Sequence, residues 1–378
     1  MLSLLSLGRS ALLILAAVAL AATPDAQQLD LIGEIELPSK PAPEREGGGG
    51  GVPTPARMGG SDVWAYTAND GSEYAIMGDL NGLSVISVPQ MEIVDRVDFA
   101  SDGCFFYWRD IKTYGSFAYL STECYGENQG MLVLDLRALP HEVKVVGSLA
   151  GENDRLVSSH NISIDLQSGH AYMLNSDGTE IVAVDLSNPV EPKDVGSFPV
   201  PDAHDIYARN DTVWVAEGRS PTLSIWDTSD KANPERIGLV NVPDAGYVHN
   251  IWPTDDGKYA VTTEETVDKT IKVWDLSDLE NPTLVGEWLG DSRLAHNVHV
   301  RGNEVYVSHY ASGLYILDIS DPTNPVPIAQ FDTFPDNDDA AFYGAWGMSL
   351  PTKDGYVYGS TLEGKLTVLK WTPPSVEM

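Results

Sequence analysis

PDAHDIYARNDTVWVAEG, residues 201–218, holds two short runs of alternating apolar and polar residues about the turn Arg209-Asn210-Asp211. Alternation with period two marks half-buried strands, and Asn and Asp suit the tight turn between them. The stretch enters its first strand at His204-Asp205-Ile206, and that entry recurs along the chain. Ser61-Asp62-Val63, Arg109-Asp110-Ile111, His160-Asn161-Ile162, His249-Asn250-Ile251, His296-Asn297-Val298 and Trp346-Gly347-Met348 occupy the same place in their own repeats. Successive entries lie from 44 residues (204 − 160) to 51 residues (160 − 109) apart. Seven repeats of this length are the mark of a propeller or solenoid array.

Each repeat reads as four strands. In the fourth they are HDIYAR, TVWVAE, LSIWDT and RIGLVNV, the last ending at Val242. Turn-forming runs such as Asn-Pro and Asp-Pro recur after the third strand, at 185–189, 275–282 and 318–325. No segment has a helical period. The N-terminal run LDLIGEIELP, 29–38, matches the fourth strands of later repeats, VKVVGSLA, DVGSFPV and LVGEWLG. The last repeat, 346–371, has three strands only. The expected fold is therefore all-β: a seven-bladed β-propeller of four-stranded blades over 29–371, closed by strand 29–38 completing the last blade. Closure removes the open sheet edge that would template aggregation. Residues 39–60, with five glycines at 47–51, read as a flexible loop at the mouth, and 372–378 as a C-terminal tail.

The formal charge of −32 argues against nucleic acid and anionic membranes as partners. It suits a soluble, monomeric, acidic protein. Residues 1–22 resemble an export signal: Arg9, then an apolar run, then the small-residue site Ala19-Leu20-Ala21. Secretion to the periplasm or the extracellular medium is expected, with no membrane anchor of the chain's own. Cys104 and Cys124 flank the two antiparallel inner strands of the second repeat, so a disulfide is expected; two buried thiols are the alternative.

The third strands MLVLDL (131–136), IVAVDL (181–186), IKVWDL (271–276) and LYILDI (314–319) resemble the LVIVD repeat. The array as a whole is similar to the exported bacterial propellers of the choice-of-anchor B family. That resemblance implies fold and export. It implies almost no chemistry, and no C-terminal anchor of the kind that family carries is expected here.

Strand-one starts and strand-two ends gather at one mouth of a propeller. Four of the inner positions are imidazoles on consecutive blades: His160, His204, His249 and His296. Nitrogen-rich sets of this kind suit Zn, Cu, Fe or Ni, so a divalent transition metal is the expected cofactor. The competing reading makes each His a packing residue and each following Asp or Asn an interblade hydrogen-bonding group. Arg109 and Trp346, on the remaining arc, read as a clamp for an anionic group and a stacking surface. Glu217, Glu264 and His309, at strand-two ends, read as further substrate-binding positions, the two carboxylates also as ring-orienting groups or bases. His299 lies deeper along the same channel. The acidic loops at 336–339 and at Glu264, Glu265 and Asp268 offer weaker Ca²⁺ candidates. No nucleophile elbow, zincin helix, phosphate loop or haem motif occurs. Three functions remain open: an exported binder of a small molecule or extracellular protein through a metal site, a metal-dependent hydrolase or oxidoreductase, or a metal-free scaffold.

Overall fold

The computed structural model describes residues 27–41, 52–99, 108–123 and 129–373. The leader at 1–22 and the Cys104–Cys124 pairing lie outside these residues. Seven four-stranded antiparallel sheets form a ring. Blades 1 to 6 span 63–98, 111–149, 159–199, 205–241, 248–288 and 297–331. Blade 7 combines Ala345–Met348, Tyr356–Thr361 and Lys365–Lys370 with the N-terminal strand Asp30–Glu36. The one helical turn among the described residues is the 3-10 turn Glu152–Asp154.

Closure runs through the N-terminal strand, as the repeat pattern predicts. Asp30–Glu36 pairs antiparallel with Lys365–Lys370. The sequence does not announce a second latch. Gln27–Gln28 pairs in parallel with Val326–Phe331, the outermost strand of blade 6. Leu29, only 1% exposed, is buried between these two pairings. One short segment thus ties blade 6 to blade 7.

The core lies between the blades. Seven apolar clusters each join two adjacent blades, because strand alternation sends every second side chain to a neighbouring sheet. The cluster joining Tyr358, Leu366 and Val368 to Val63, Ala75 and Met77 seals blade 7 against blade 1. The third and fourth strands of each blade shift register at a bulge, for example between Ile225 and Trp226. Bulges sharpen the twist that lets radial sheets nest.

The residue after the strand-one head staples adjacent blades at Asp62, Asp110, Asn161, Asp205 and Asn250. Asp62 Oδ2 accepts the Ile111 N–H at 3.1 Å, Asp110 Oδ2 the Ile162 N–H at 3.1 Å, and Asn250 Oδ1 the Val298 N–H at 3.1 Å. Asp205 Oδ2 accepts from the Asn250 side chain at 2.6 Å. The repeated Asp/Asn is therefore structural, and the residue before it is left to face the channel.

Residues 52–60 are packed, unlike the flexible connection expected for 39–60. Lys40–Pro41 pairs with Arg57–Met58, and the Phe342 N–H donates to Pro53 O at 2.9 Å. A Cβ on Gly60 would stand 1.9 Å from Thr361 O, so only glycine allows this approach to blade 7. The five glycines themselves fall outside the described residues.

Candidate metal centre

Several head residues are fixed through their own carbonyls. Ser121 Oγ donates to His160 O at 2.7 Å, Thr263 Oγ1 to His296 O at 2.5 Å, and Ser308 Oγ to Trp346 O at 2.7 Å. The backbone held in this way turns the head side chains inward. They line a cavity of about 230 Å³ at one mouth of the channel.

The four imidazoles form an arc. Ring centroids are 4.6 Å apart for His160–His204, 3.9 Å for His204–His249 and 4.6 Å for His249–His296. Several Nδ1 atoms are engaged. His160 Nδ1 meets Glu123 Oε1 at 2.5 Å, His204 Nδ1 meets His249 O at 3.3 Å, and His296 Nδ1 bonds Trp346 O. His249 Nδ1 is buried without a hydrogen-bond partner among the described residues. A carbonyl can only accept, so His204 and His296 must carry their protons on Nδ1. The His296 Nε2 lone pair then faces the cavity, the tautomer a ligating imidazole requires, whereas that of His204 meets His160 Nε2 at 3.0 Å.

Protonation supports this. Burial, reinforced by the neighbouring imidazoles, holds His204 and His249 well below the usual histidine range. Burial pushes His296 down to about 3. His160 differs: burial lowers it, but the hydrogen bond and charge of Glu123 outweigh that and raise it. Three neutral imidazoles are therefore available at neutral pH.

All four rings do not meet at one point, as a single four-histidine site would require. Two trios bring their ligand atoms within 4.8 Å of one another: His204–Asp205–His249 and His249–Glu265–His296. His249 belongs to both. His160 touches His204, Nε2 to Nε2 at 3.0 Å, and stands at the end of the arc. Asp205 is already committed to Asn250 as an interblade staple. Glu265 is better placed. Its Oε1 accepts the Tyr310 hydroxyl, and its Oε2 lies 3.9 Å from His249 Nε2. Two metal–ligand bonds of about 2.1 Å span at most ~4.2 Å, so that separation suits a shared ion.

The strand-two candidates Glu217, Glu264 and His309 do not reach the cavity. Glu217 accepts from Thr222 and from Ser224 Oγ at 2.6 Å within its own blade. Glu264 is a buried partner of Lys272 and of the Gly246 N–H. His309 is 1% exposed and bonded to Ser292 Oγ at 2.7 Å. Side chains alternate along a strand, so Glu264 turns into the blade and the next residue, Glu265, turns to the channel. Sequence reading placed Glu265 in an acidic loop; its role beside the histidines depends on this one-residue step. The Ca²⁺ candidates disperse in the same way. Asp268 pairs with Arg293, and among the described residues neither loop brings three of its own acids together as a ligand group.

Arg109 and Trp346 do line the cavity. Burial lowers Arg109 to about 10 despite the opposing charges of Asp79 and Glu123, and its Nη1 donates to Asp79 O at 3.0 Å. Trp346 packs on His296 with centroids 3.9 Å apart and stacks on Trp108 at 4.4 Å and 9°.

A second polar layer lies among the same lining residues. Lys112 Nζ bonds Asp110 Oδ1, stands 3.6 Å from Asp62 Oδ2, and lies 4.5 Å over the Trp64 ring. Replacing Lys112 by Met leaves these buried carboxylates without their cation, at an expected cost of about 3–5 kcal/mol. Burial already raises Asp62 well above the carboxylate range. Asp110 is held low because Lys112 and its hydrogen bonds outweigh burial. Without Lys112 both should retain protons when folded and release them on unfolding. A raised folded pKa confers stability at low pH that is lost as pH rises. The destabilisation of K112M relative to wild type should therefore be larger at pH 8 than at pH 5, as urea unfolding of both proteins at the two pH values would show.

Comparison with known proteins agrees with the architecture. The LVIVD repeat model matches residues 292–333, the segment that includes His296 and the LYILDI strand. No curated protein matches the sequence. Among solved structures, a chain of a mitotic checkpoint complex aligns with TM-score 0.66 at 12% identity, covering 97% of this chain and 100% of that one. The WD40 repeats of RRP9 align with TM-score 0.60 at 8% identity, covering 91% and 99%. At such identities the likeness is one of fold alone. The chain is a seven-bladed β-propeller that carries the LVIVD repeat.

Proposed function

We propose that the protein binds a divalent transition metal ion at the mouth of its channel through His249, His296 and Glu265, with His204 beside them. The ion in turn holds a small ligand in the cavity. The observation that carries this reading is the trio His249–Glu265–His296, both imidazoles buried and Glu265 half-buried, its ligand atoms within 4.8 Å and the His296 Nδ1 tied to a backbone carbonyl. Two imidazoles and one carboxylate suit Zn²⁺ or Fe²⁺ and leave coordination positions open towards the cavity. The leader-like residues 1–22 favour an exported protein that takes its ion and ligand from the periplasm or the medium. A β-propeller is a common binding scaffold, and a binding function is the reading the trio supports.

Metal analysis of chelator-treated, reloaded and dialysed protein tests this, with one ion per chain expected. A metal content near zero would remove the proposal. Tyr310→Phe gives a second readout. The Tyr310 hydroxyl aims Glu265 and is held as a donor, because burial and Glu265 together raise its pKa. Loss of such a supporting hydrogen bond typically weakens metal binding about 10–100-fold. Competition titration with a chromogenic chelator would measure that loss.

A further inference from the structure

His160 ends the histidine arc, yet it has no lone pair to give an ion. Its Nδ1 meets Glu123 Oε1 at 2.5 Å and its Nε2 meets His204 Nε2 at 3.0 Å. His204 donates through Nδ1 to His249 O, so its Nε2 carries no proton and can only accept. The proton in the Nε2–Nε2 contact therefore belongs to His160. Glu123, its side chain 9% exposed, stands just past the second strand of blade 2 and braces the His160 ring from behind.

The consequence falls on His204. It offers a ligand atom within 4.8 Å of one on His249, and the two ring centroids are 3.9 Å apart. It is near enough to reach an ion that His249 holds, but the one lone pair of its ring is engaged by His160. The other hydrogen bond of that ring, Nδ1 to His249 O at 3.3 Å, is long. We propose that His160, braced by Glu123, is a positioning residue that keeps His204 off the metal and so keeps a coordination position open. This rests on the metal reading and deepens it. Four protein ligands close a zinc site and make it structural, whereas three leave a position for water or a ligand. His249, His296 and Glu265 make three; a released His204 makes four.

Cobalt-loaded protein tests this, because the visible absorption of Co²⁺ follows its ligand set. Azide is the probe for the open position. The wild type should bind one Co²⁺ and change its spectrum when azide is added. His160→Ala, made together with Glu123→Gln so that no unpaired carboxylate is left buried, should bind Co²⁺ at least about tenfold tighter and ignore azide. Adding His204→Ala to that variant should restore the wild-type affinity and the azide response. His204→Ala alone should change neither. His160→Gln, whose amide N–H replaces the ring Nε2–H, should also behave as the wild type. Unchanged affinity and azide response in the E123Q/H160A protein would overturn the proposal and leave the metal reading standing. So would loss of cobalt from that protein, which would make His160 itself a ligand, or from His204→Ala, which would make His204 one already. Failure of the wild type to take up cobalt would remove the metal reading, and this role of His160 with it.

Discussion

His249→Ala is expected to strip the metal from the protein while leaving the propeller folded. His249 belongs to both ligand trios, so no rearrangement along the arc replaces it. The loss should exceed the ten- to hundredfold that removal of a supporting group costs, since a ligand itself is gone. Reloaded and dialysed protein should then hold near zero ion per chain. The fold should persist because the blade junction depends on Asn250, not on His249: Asn250 donates to Asp205 and accepts from Val298. Circular dichroism and thermal melting of the metal-free variant check this. Unchanged metal content in a folded variant would contradict the account. The same result would favour the competing reading, in which the imidazoles only pack.

Deletion of residues up to Glu36 should be the most damaging change to the fold. It removes both latches, the pairing with Lys365–Lys370 and the parallel pairing with Val326–Phe331. Loss of the buried Leu29 side chain alone should cost about 2–5 kcal/mol. An unpaired edge on blade 7 is also a template for association. Since folded proteins are stable by only about 5–15 kcal/mol, the truncated chain should aggregate or melt at least ~10 °C lower. Light scattering and differential scanning fluorimetry would distinguish these outcomes. A soluble monomer with an unchanged melting temperature would show that closure does not depend on this strand.

Much of this architecture is legible in the sequence, because a repeat displays the same physics seven times. The entry motif, the turn residues and the orphan strand at 29–38 suffice for blade number and closure. Strand ends shift by a residue or so: 29–38 becomes Asp30–Glu36, and 143–150 becomes Lys144–Leu149. The inner ring of the site was equally readable, since position in the repeat places His160, His204, His249, His296, Arg109 and Trp346 at one mouth. The outer ring was not. Whether a strand-two acid faces the channel depends on where its strand ends. Glu123 reaches His160, but Glu217 and Glu264 turn into their blades, and Glu265 takes the channel position. The latch at Gln27–Gln28 was hidden for another reason: two polar residues carry no periodicity, and their pairing is all backbone.

The central claim is that Nε2 of His249 and of His296 and a Glu265 oxygen share one ion. Anomalous diffraction from crystals of zinc-loaded protein, measured on both sides of the zinc edge, tests it most directly. The expected result is one strong peak about 2.1 Å from all three atoms. A peak confined to the exposed acidic loops, or none along the histidine arc at full zinc loading, would contradict it.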